Sequence, residues 1–301
     1  VALCTLSAVN LGALESLDEL EDITEIIVRA LDSLLDYQDY PLKSAELTSN
    51  NRRTLGIGVT NLAYYLAKND AKYSDGSGNE LVHKTFEALQ YYSLKASNKL
   101  AEELGPCPLF SETQYSKGIM PIDSYKKDID AFCNTKLELD WDTLRKNIKS
   151  KGLRNSTLTA LMPCESSSQI SNSTNGIEPP RGFVSVKQSK DGILKQVVPE
   201  YEKLHNKYEL LWNIKDNDGY LQLCAIMQKF VDQSISTNTH YDPSKFEGNR
   251  VPMKLFLMDL LKAYKYGIKT LYYHTTRDGA SDDQNIEKPS DDDCEDGVCK
   301  L

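Results

Sequence analysis

Between Ser16 and Asp36, apolar residues recur at three- and four-residue steps: Leu17, Leu20, Ile23, Ile27, Leu31 and Leu34. That spacing gathers them on one face of an α-helix, and Ser16 with Glu19 has the form of a capping box at its start. A longer helix is predicted over 80–104, closed by Gly105-Pro106. Shorter ones are predicted through Leu62 and Leu66, and after Asp140 with Trp141, Leu144 and Ile148 facing inward. Further helices are expected over 199–211, over 219–236, and from Pro252 through Leu255, Met258 and Leu261 to Gly267. Between these lie short apolar runs of strand type at 1–12, 158–162, 183–186 and 268–273. Strands that alternate with helices predict an α/β fold. No internal repeat interrupts that order.

The run at 158–162 ends at Pro163, which cannot donate to a ladder. Cys164, Glu165, Ser166, Ser167 and Ser168 follow. Small polar residues at a helix start leave backbone N–H groups together, and such groups bind anions, phosphate above all. An ordinary Ser-rich cap has the same composition, and no Walker or dinucleotide fingerprint is present. Gly56 and Gly58 read as sites of close packing rather than as a nucleotide loop.

Composition narrows the function classes. The chain has 301 residues, 40% hydrophobic and 26% charged, enough for one large or two ordinary globular domains. Net charge is −9, and 281–301 holds eight acidic and two basic residues, hence −6 of it. The body is close to neutral, without the basic footprint of nucleic-acid binding. No apolar run approaches the length of a membrane span and no secretory leader is visible, so the expected setting is the cytosol. The four histidines have no metal-ligand spacing, and no metal site is predicted. Cys107, Cys133 and Cys224 read as small buried hydrophobes. Val1 stands within a strand-like apolar run that contains Cys4, as expected of part of something larger.

Two features near the far end carry candidate chemistry. Successive strand residues face opposite ways, so Tyr272 and Tyr273 share a face only across an irregularity, for which Gly267 before them and 274–279 after them leave room; plain core packing is the competing reading. Past Asp278-Gly279 the acidic, apolar-poor composition predicts a mobile tail over 281–301, set against a body over 1–280. Cys294 and Cys299 lie five apart on it. They could be half of a zinc site, a disulfide, or a shuttle that exchanges with a buried disulfide and then with an external reductant.

The runs Pro163-Cys164-Glu165-Ser166-Ser167-Ser168-Gln169 and Gly176-Ile177-Glu178-Pro179-Pro180-Arg181 resemble the large subunit of class I ribonucleotide reductase. So do Leu3-Cys4-Thr5-Leu6-Ser7-Ala8, Lys269-Thr270-Leu271-Tyr272-Tyr273 with Thr276-Arg277-Asp278-Gly279, and the terminal Cys294/Cys299 pair. The resemblance covers the whole chain. It implies the second half of a ten-stranded α/β barrel with a flexible tail. It implies substrate diphosphate at Cys164, Glu165, Ser166 and Ser167, a reducing thiol at Cys4, a tyrosine relay at Tyr272 and Tyr273, and a tail shuttle at Cys294 and Cys299. Cys164 departs from the Ser that is usual there in the bacterial enzymes, and a thiol is the weaker donor.

The family's radical Cys, its finger loop and the second reducing thiol have no counterpart here. The implied activity is ribonucleoside-diphosphate reduction by thiyl-radical chemistry, in combination with an N-terminal half that carries them. The implied partners are that half, a small subunit with a dinuclear metal and tyrosyl radical, thioredoxin or glutaredoxin, and the ribonucleoside diphosphate. No cofactor is expected on this chain itself. A non-catalytic decoy that binds these partners and a free-standing thiol–disulfide oxidoreductase are the alternatives.

Overall fold

In the computed structural model, the structure describes residues 1–189 and 192–277. Its frame is a set of parallel strands. β1 (Thr5–Asn10) pairs in parallel with β2 (Leu55–Thr60), Thr5 against Leu55 through Asn10 against Thr60. β2 meets the segment around Thr159 by a parallel bridge from Ile57, and Leu161 meets Ile235 by another. Ile235 leads into β5 (Thr237–Tyr241), which pairs in parallel with β6 (Leu271–Thr276). Five parallel segments thus follow one another in chain order. The run at 158–162, expected as a strand, holds its neighbours only through these bridges. The α/β class is as expected, but among the described residues the array is open and closes no barrel. A separate antiparallel hairpin joins β3 (Val184–Ser189) to β4 (Gly192–Val197).

Two helices cover the outer face of the array. Glu19–Tyr37 buries Leu20, Val28, Leu31 and Leu35; of the predicted stripe Leu20 and Leu31 are buried, Leu17, Ile23 and Ile27 are partly buried against the core, and Leu34 is exposed. Glu19 accepts from the Ser16 N–H at 3.2 Å, which is one arm of the expected capping box. The helix Asn79–Leu104 is buried along most of its length and ends where Gly105 takes φ +83°. Leu55, Ile57 and Val59 of β2 are fully buried against this layer. Each contributes about 1.5–3 kcal/mol by leaving water. A buried ionic knot ties β2 to the first helix. Arg53 Nε donates to Asp32 Oδ1 at 2.6 Å, Arg154 Nε to Asp32 Oδ2 at 3.1 Å, and Asn155 Nδ2 to Asp32 Oδ1 at 3.0 Å.

Other helices depart from expectation. The region 199–211 forms only the short helix Tyr201–Leu204, because its later backbone is satisfied elsewhere: the Leu211 N–H donates to the Pro180 carbonyl. The helix predicted over 219–236 is Asp218–Gln228. Gln228 Nε2 then donates to the carbonyls of Val231 and Gln233 and turns the chain toward β5. Asp140 caps Trp141–Lys151 by accepting from the Thr143 N–H, and Pro252 precedes Met253–Lys265, both as predicted. The helix Lys43–Arg52 was not anticipated.

Candidate functional site

The inner face of the array is shaped by glycine. A Cβ placed on Gly56 would stand 2.7 Å from Cys4 Sγ and 2.5 Å from Leu6 Cδ2, and one on Gly58 would stand 2.6 Å from Met162 Sδ. Both glycines therefore let neighbouring side chains lie flat across the strand, the close packing expected of them. Cys4, one residue before β1, is an exposed free thiol. Its Sγ faces Gln233 Oε1 at 3.9 Å. Partial burial of the sulfur raises its pKa, the hydrogen bond with Gln233 offsets part of the rise, and the Asp232 carboxylate adds to it. Cys107, Cys133, Cys164 and Cys224 are buried free thiols, and burial pushes Cys107 up to about 11 and Cys224 to about 12.

At the exit of the 158–162 segment the chain turns through Cys164–Ser168 into the one-turn helix Ser167–Ile170. Glu165, Ser166 and Ser167 are exposed, while Cys164 and Ser168 are buried. The loop is clasped from several sides. The Cys164 N–H donates to Asn175 Oδ1 at 2.7 Å, the Thr174 N–H to Asn61 Oδ1 at 2.9 Å, and Gln196 Nε2 of the hairpin to the Ser173 carbonyl at 3.2 Å. The Cys164 thiol points inward, where it donates to the carbonyls of Met162 and Val59 at 3.6 and 3.7 Å. Its side chain is thus turned away from the face that Glu165, Ser166 and Ser167 present.

Tyr272 and Tyr273 sit in a β-bulge. Thr237 pairs with Leu271 and Thr239 with His274, so two steps on β5 meet three on β6. The extra residue brings two successive side chains together, as a bulge re-aims side chains elsewhere. Ring centroids lie 4.0 Å apart at 45°, and the residues are 49% and 57% exposed. Neither ring packs into the core of this chain. The sequence anticipated an irregularity but placed it toward the strand ends. Asn238, opposite the bulge, holds it: its Oδ1 accepts from the Tyr273 N–H at 2.9 Å.

The stagger of the array sets Tyr272 level with the loop after Pro163, because Leu161 pairs with Ile235 and Thr237 with Leu271. A side-chain hydrogen bond with Tyr273 raises the Tyr272 pKa, and the nearby Glu165 carboxylate contributes in the same direction. Asn238 also links this corner to Glu178, donating to its Oε1 at 2.6 Å. Burial raises the Glu178 pKa, and burial with the Arg181 charge lowers His240 to about 4. At neutral pH His240 is an uncharged neighbour of Glu178, 3.5 Å away.

The structure therefore joins the loop and the tyrosine pair, and sets Cys4 at the entry of β1. Cys294 and Cys299 lie outside the described residues. Among the described residues no three His, Cys, Asp or Glu side chains gather to hold a metal, and no helix is long and apolar enough to cross a membrane. Sequence reasoning missed Asn61, Asn175, Gln233 and Asn238. Their work is to hold backbone and side chains of distant segments, which no local pattern announces.

The site region of this α/β protein is thus an open parallel array with a loop at a strand exit, a thiol at a strand entry and a paired-tyrosine bulge. Residues 1–274 match the family described as ribonucleotide reductase, barrel domain, and the chain belongs to that family. It is 65% identical over its full 301 residues to the ribonucleoside-diphosphate reductase subunit alpha of Haemophilus influenzae, covering 39% of that protein. It is 66% identical over 269 residues to ribonucleoside-diphosphate reductase 1 subunit alpha of Escherichia coli, which is 89% of this chain and 35% of that protein. The subunit alpha of Helicobacter pylori is 28% identical over 292 residues, 95% of this chain and 36% of the other. The chain thus spans about two fifths of the length of the curated relatives it matches.

Proposed function

We propose that this chain is the C-terminal part of the large subunit of a cytosolic ribonucleoside-diphosphate reductase. In this reading Glu165, Ser166 and Ser167 hold the substrate diphosphate. Cys4 is one of two thiols that reduce the ribose, and Tyr272 and Tyr273 carry the oxidising equivalent toward a radical cysteine. That cysteine, the second thiol and the other half of a ten-stranded barrel come from the remainder of the subunit, against which the exposed edge of β1 is covered. A small subunit with a dinuclear metal and tyrosyl radical supplies the oxidising equivalent. Cys294 and Cys299 pass electrons on from thioredoxin or glutaredoxin.

The chemistry suits these groups. Loss of the 2′-hydroxyl as water with hydrogen in its place takes two electrons, and two thiols provide them with their protons by closing a disulfide. The open array exposes one such thiol. A phenol with an ordinary pKa near 10 gives up its proton together with its electron at neutral pH, and ring centroids at 4.0 Å keep that exchange short. The observation that carries the reading is this bulged pair, exposed beside the loop. Nothing in core packing asks for two adjacent phenols on one face at a strand's open edge.

The test is reconstitution. The chain, the remaining large-subunit portion and the small subunit should together reduce a ribonucleoside diphosphate. Tyr272→Phe should bind substrate and yield no deoxynucleotide. Full turnover by Tyr272→Phe, or by this chain and the small subunit without the remaining portion, overturns the reading.

A further inference from the structure

Gln233 lies on the segment between the helix Asp218–Gln228 and β5, and no motif singles it out. Its side chain is tightly specified. Nε2 donates to the Leu55 carbonyl at 2.7 Å and to the Thr159 carbonyl at 3.3 Å. Those two acceptors fix the amide's orientation, since the reverse would set its oxygen against two carbonyls. Oε1 is left facing Cys4 Sγ at 3.9 Å, within reach of a long, weak S–H···O contact. On another side Cys4 lies over Gly56, where a Cβ would stand 2.7 Å from the sulfur.

The segment that carries Gln233 is itself pinned. Lys269 Nζ donates to the carbonyls of Val231, Asp232 and Gln233 at 3.0, 2.8 and 2.9 Å. The Asp232 carboxylate accepts from the Leu158 and Thr159 N–H groups at 2.8 and 3.0 Å, and from the Tyr115 hydroxyl at 2.8 Å. An exposed thiol at the frayed start of an edge strand thus has one rigidly oriented acceptor and one flat floor.

We propose that Gln233 is a positioning residue for Cys4: its amide oxygen accepts the thiol S–H and holds the sulfur over Gly56. This rests on the reading of Cys4 as a reducing thiol. An uncharged acceptor serves a thiol that must deliver both a proton and an electron, whereas a donor or cation there would favour the thiolate.

The experiment measures Cys4 alkylation by iodoacetamide against pH in the full chain, read by peptide mass spectrometry, alongside turnover of the reconstituted enzyme. Gln233→Glu keeps the shape and places a negative charge at the contact. It should move the alkylation midpoint up by a pH unit or more. Gln233→Met removes the acceptor, frees the sulfur from its fixed place over Gly56, and should change the alkylation rate at fixed pH by more than twofold. Both should lower kcat about tenfold and leave KM within twofold, the pattern of a lost transition-state interaction. Gln233→Asn, with a shorter amide, should recover neither.

Alkylation rates and kcat within twofold of the parent in both variants, while Cys4→Ser abolishes turnover, overturn the positioning role and leave the reading of Cys4 intact. Full turnover in Cys4→Ser overturns that reading, and the alkylation profiles still decide the contact. Should the variants not fold, the S–H stretching band of Cys4 decides instead, isolated as the parent minus Cys4→Ser difference. A band at the frequency of an exposed, unbonded thiol overturns the contact, and a band shifted to lower frequency supports it.

Discussion

The inner and outer strands of the array differ in almost every respect. Every residue of β2 is buried, and β5 is nearly so, whereas β1 and β6 expose or half-expose all but one of theirs. The inner strands carry Leu55, Ile57, Val59 and Thr237, which no reaction could reach. The outer pair carry Cys4 just before β1 and the two tyrosines in β6. An unpaired strand edge is ordinarily a hazard in solution. In the proposed reading the reactive groups lie on the strands exposed in this chain, and the buried strands carry its core.

That division can be broken most sharply at the tyrosines. Tyr273→Phe should lose essentially all radical-dependent turnover in the reconstituted enzyme, while unfolding free energy stays within about 0.5 kcal/mol, as at an exposed site. A melting transition that falls along with activity would erase the distinction. Asp32→Ala tests the opposite side. It removes the buried partner of Arg53 and leaves the guanidinium to the exposed carboxylate of Asp36, and denaturant unfolding should show a loss of about 3 kcal/mol. Gly58→Ala forces a Cβ toward Met162 Sδ and the Ala160 carbonyl on an inner strand, at a cost of about 1–3 kcal/mol by the same measurement. Asn238→Ala straddles the two classes. It should cost about 1 kcal/mol in stability through the lost Tyr273 N–H partner, and also lower turnover by loosening the ring pair.

The gentlest probe is pH. Burial lowers both His83 and His240 from 6.5 to about 4. Between those values the unfolded chain binds protons that the folded chain does not, so stability falls as pH drops from about 6.5 toward 4. The slope should approach about 1.4 kcal/mol per pH unit for each histidine at its steepest. Urea midpoints at pH 7 and pH 5 check this, and His83→Gln should flatten the difference. Both rings belong to the buried part of the molecule, His83 against Phe230 at 4.9 Å and His240 against Trp212 and Tyr220. The edges should therefore keep their geometry until the core gives way.

How much of this was legible in the sequence follows the same line. The long helices were readable because their signals are local: the stripe from Leu20 to Leu35, and the stop at Gly105. The candidate site residues were singled out as motifs. What escaped were elements defined by distant partners. β5 reads Thr-Asn-Thr-His-Tyr, a polar run buried only because β6 and the helix layer enclose it. Phe230 and Val231 looked like a helix continuing and are instead core residues of a turning loop. The helix Lys43–Arg52 buries only Ala45 and Ser49, too faint a stripe to notice. Gln233 and Asn238 act across more than thirty residues of sequence or across strands, and side-chain amides carry no signature of what they will hold.

The bulge in β6 bears on how such a gene can change. Deleting the codon for either Tyr272 or Tyr273 would leave two steps on β6 against two on β5, with Thr237 still opposite Leu271 and Thr239 still opposite His274. The ladder would be more regular than before, and nothing downstream would shift. One-codon losses inside strands usually invert the faces of everything that follows, but here the sheet offers no resistance to the loss. The ladder alone has no use for the extra residue, and what the bulge adds is the contact between the two rings.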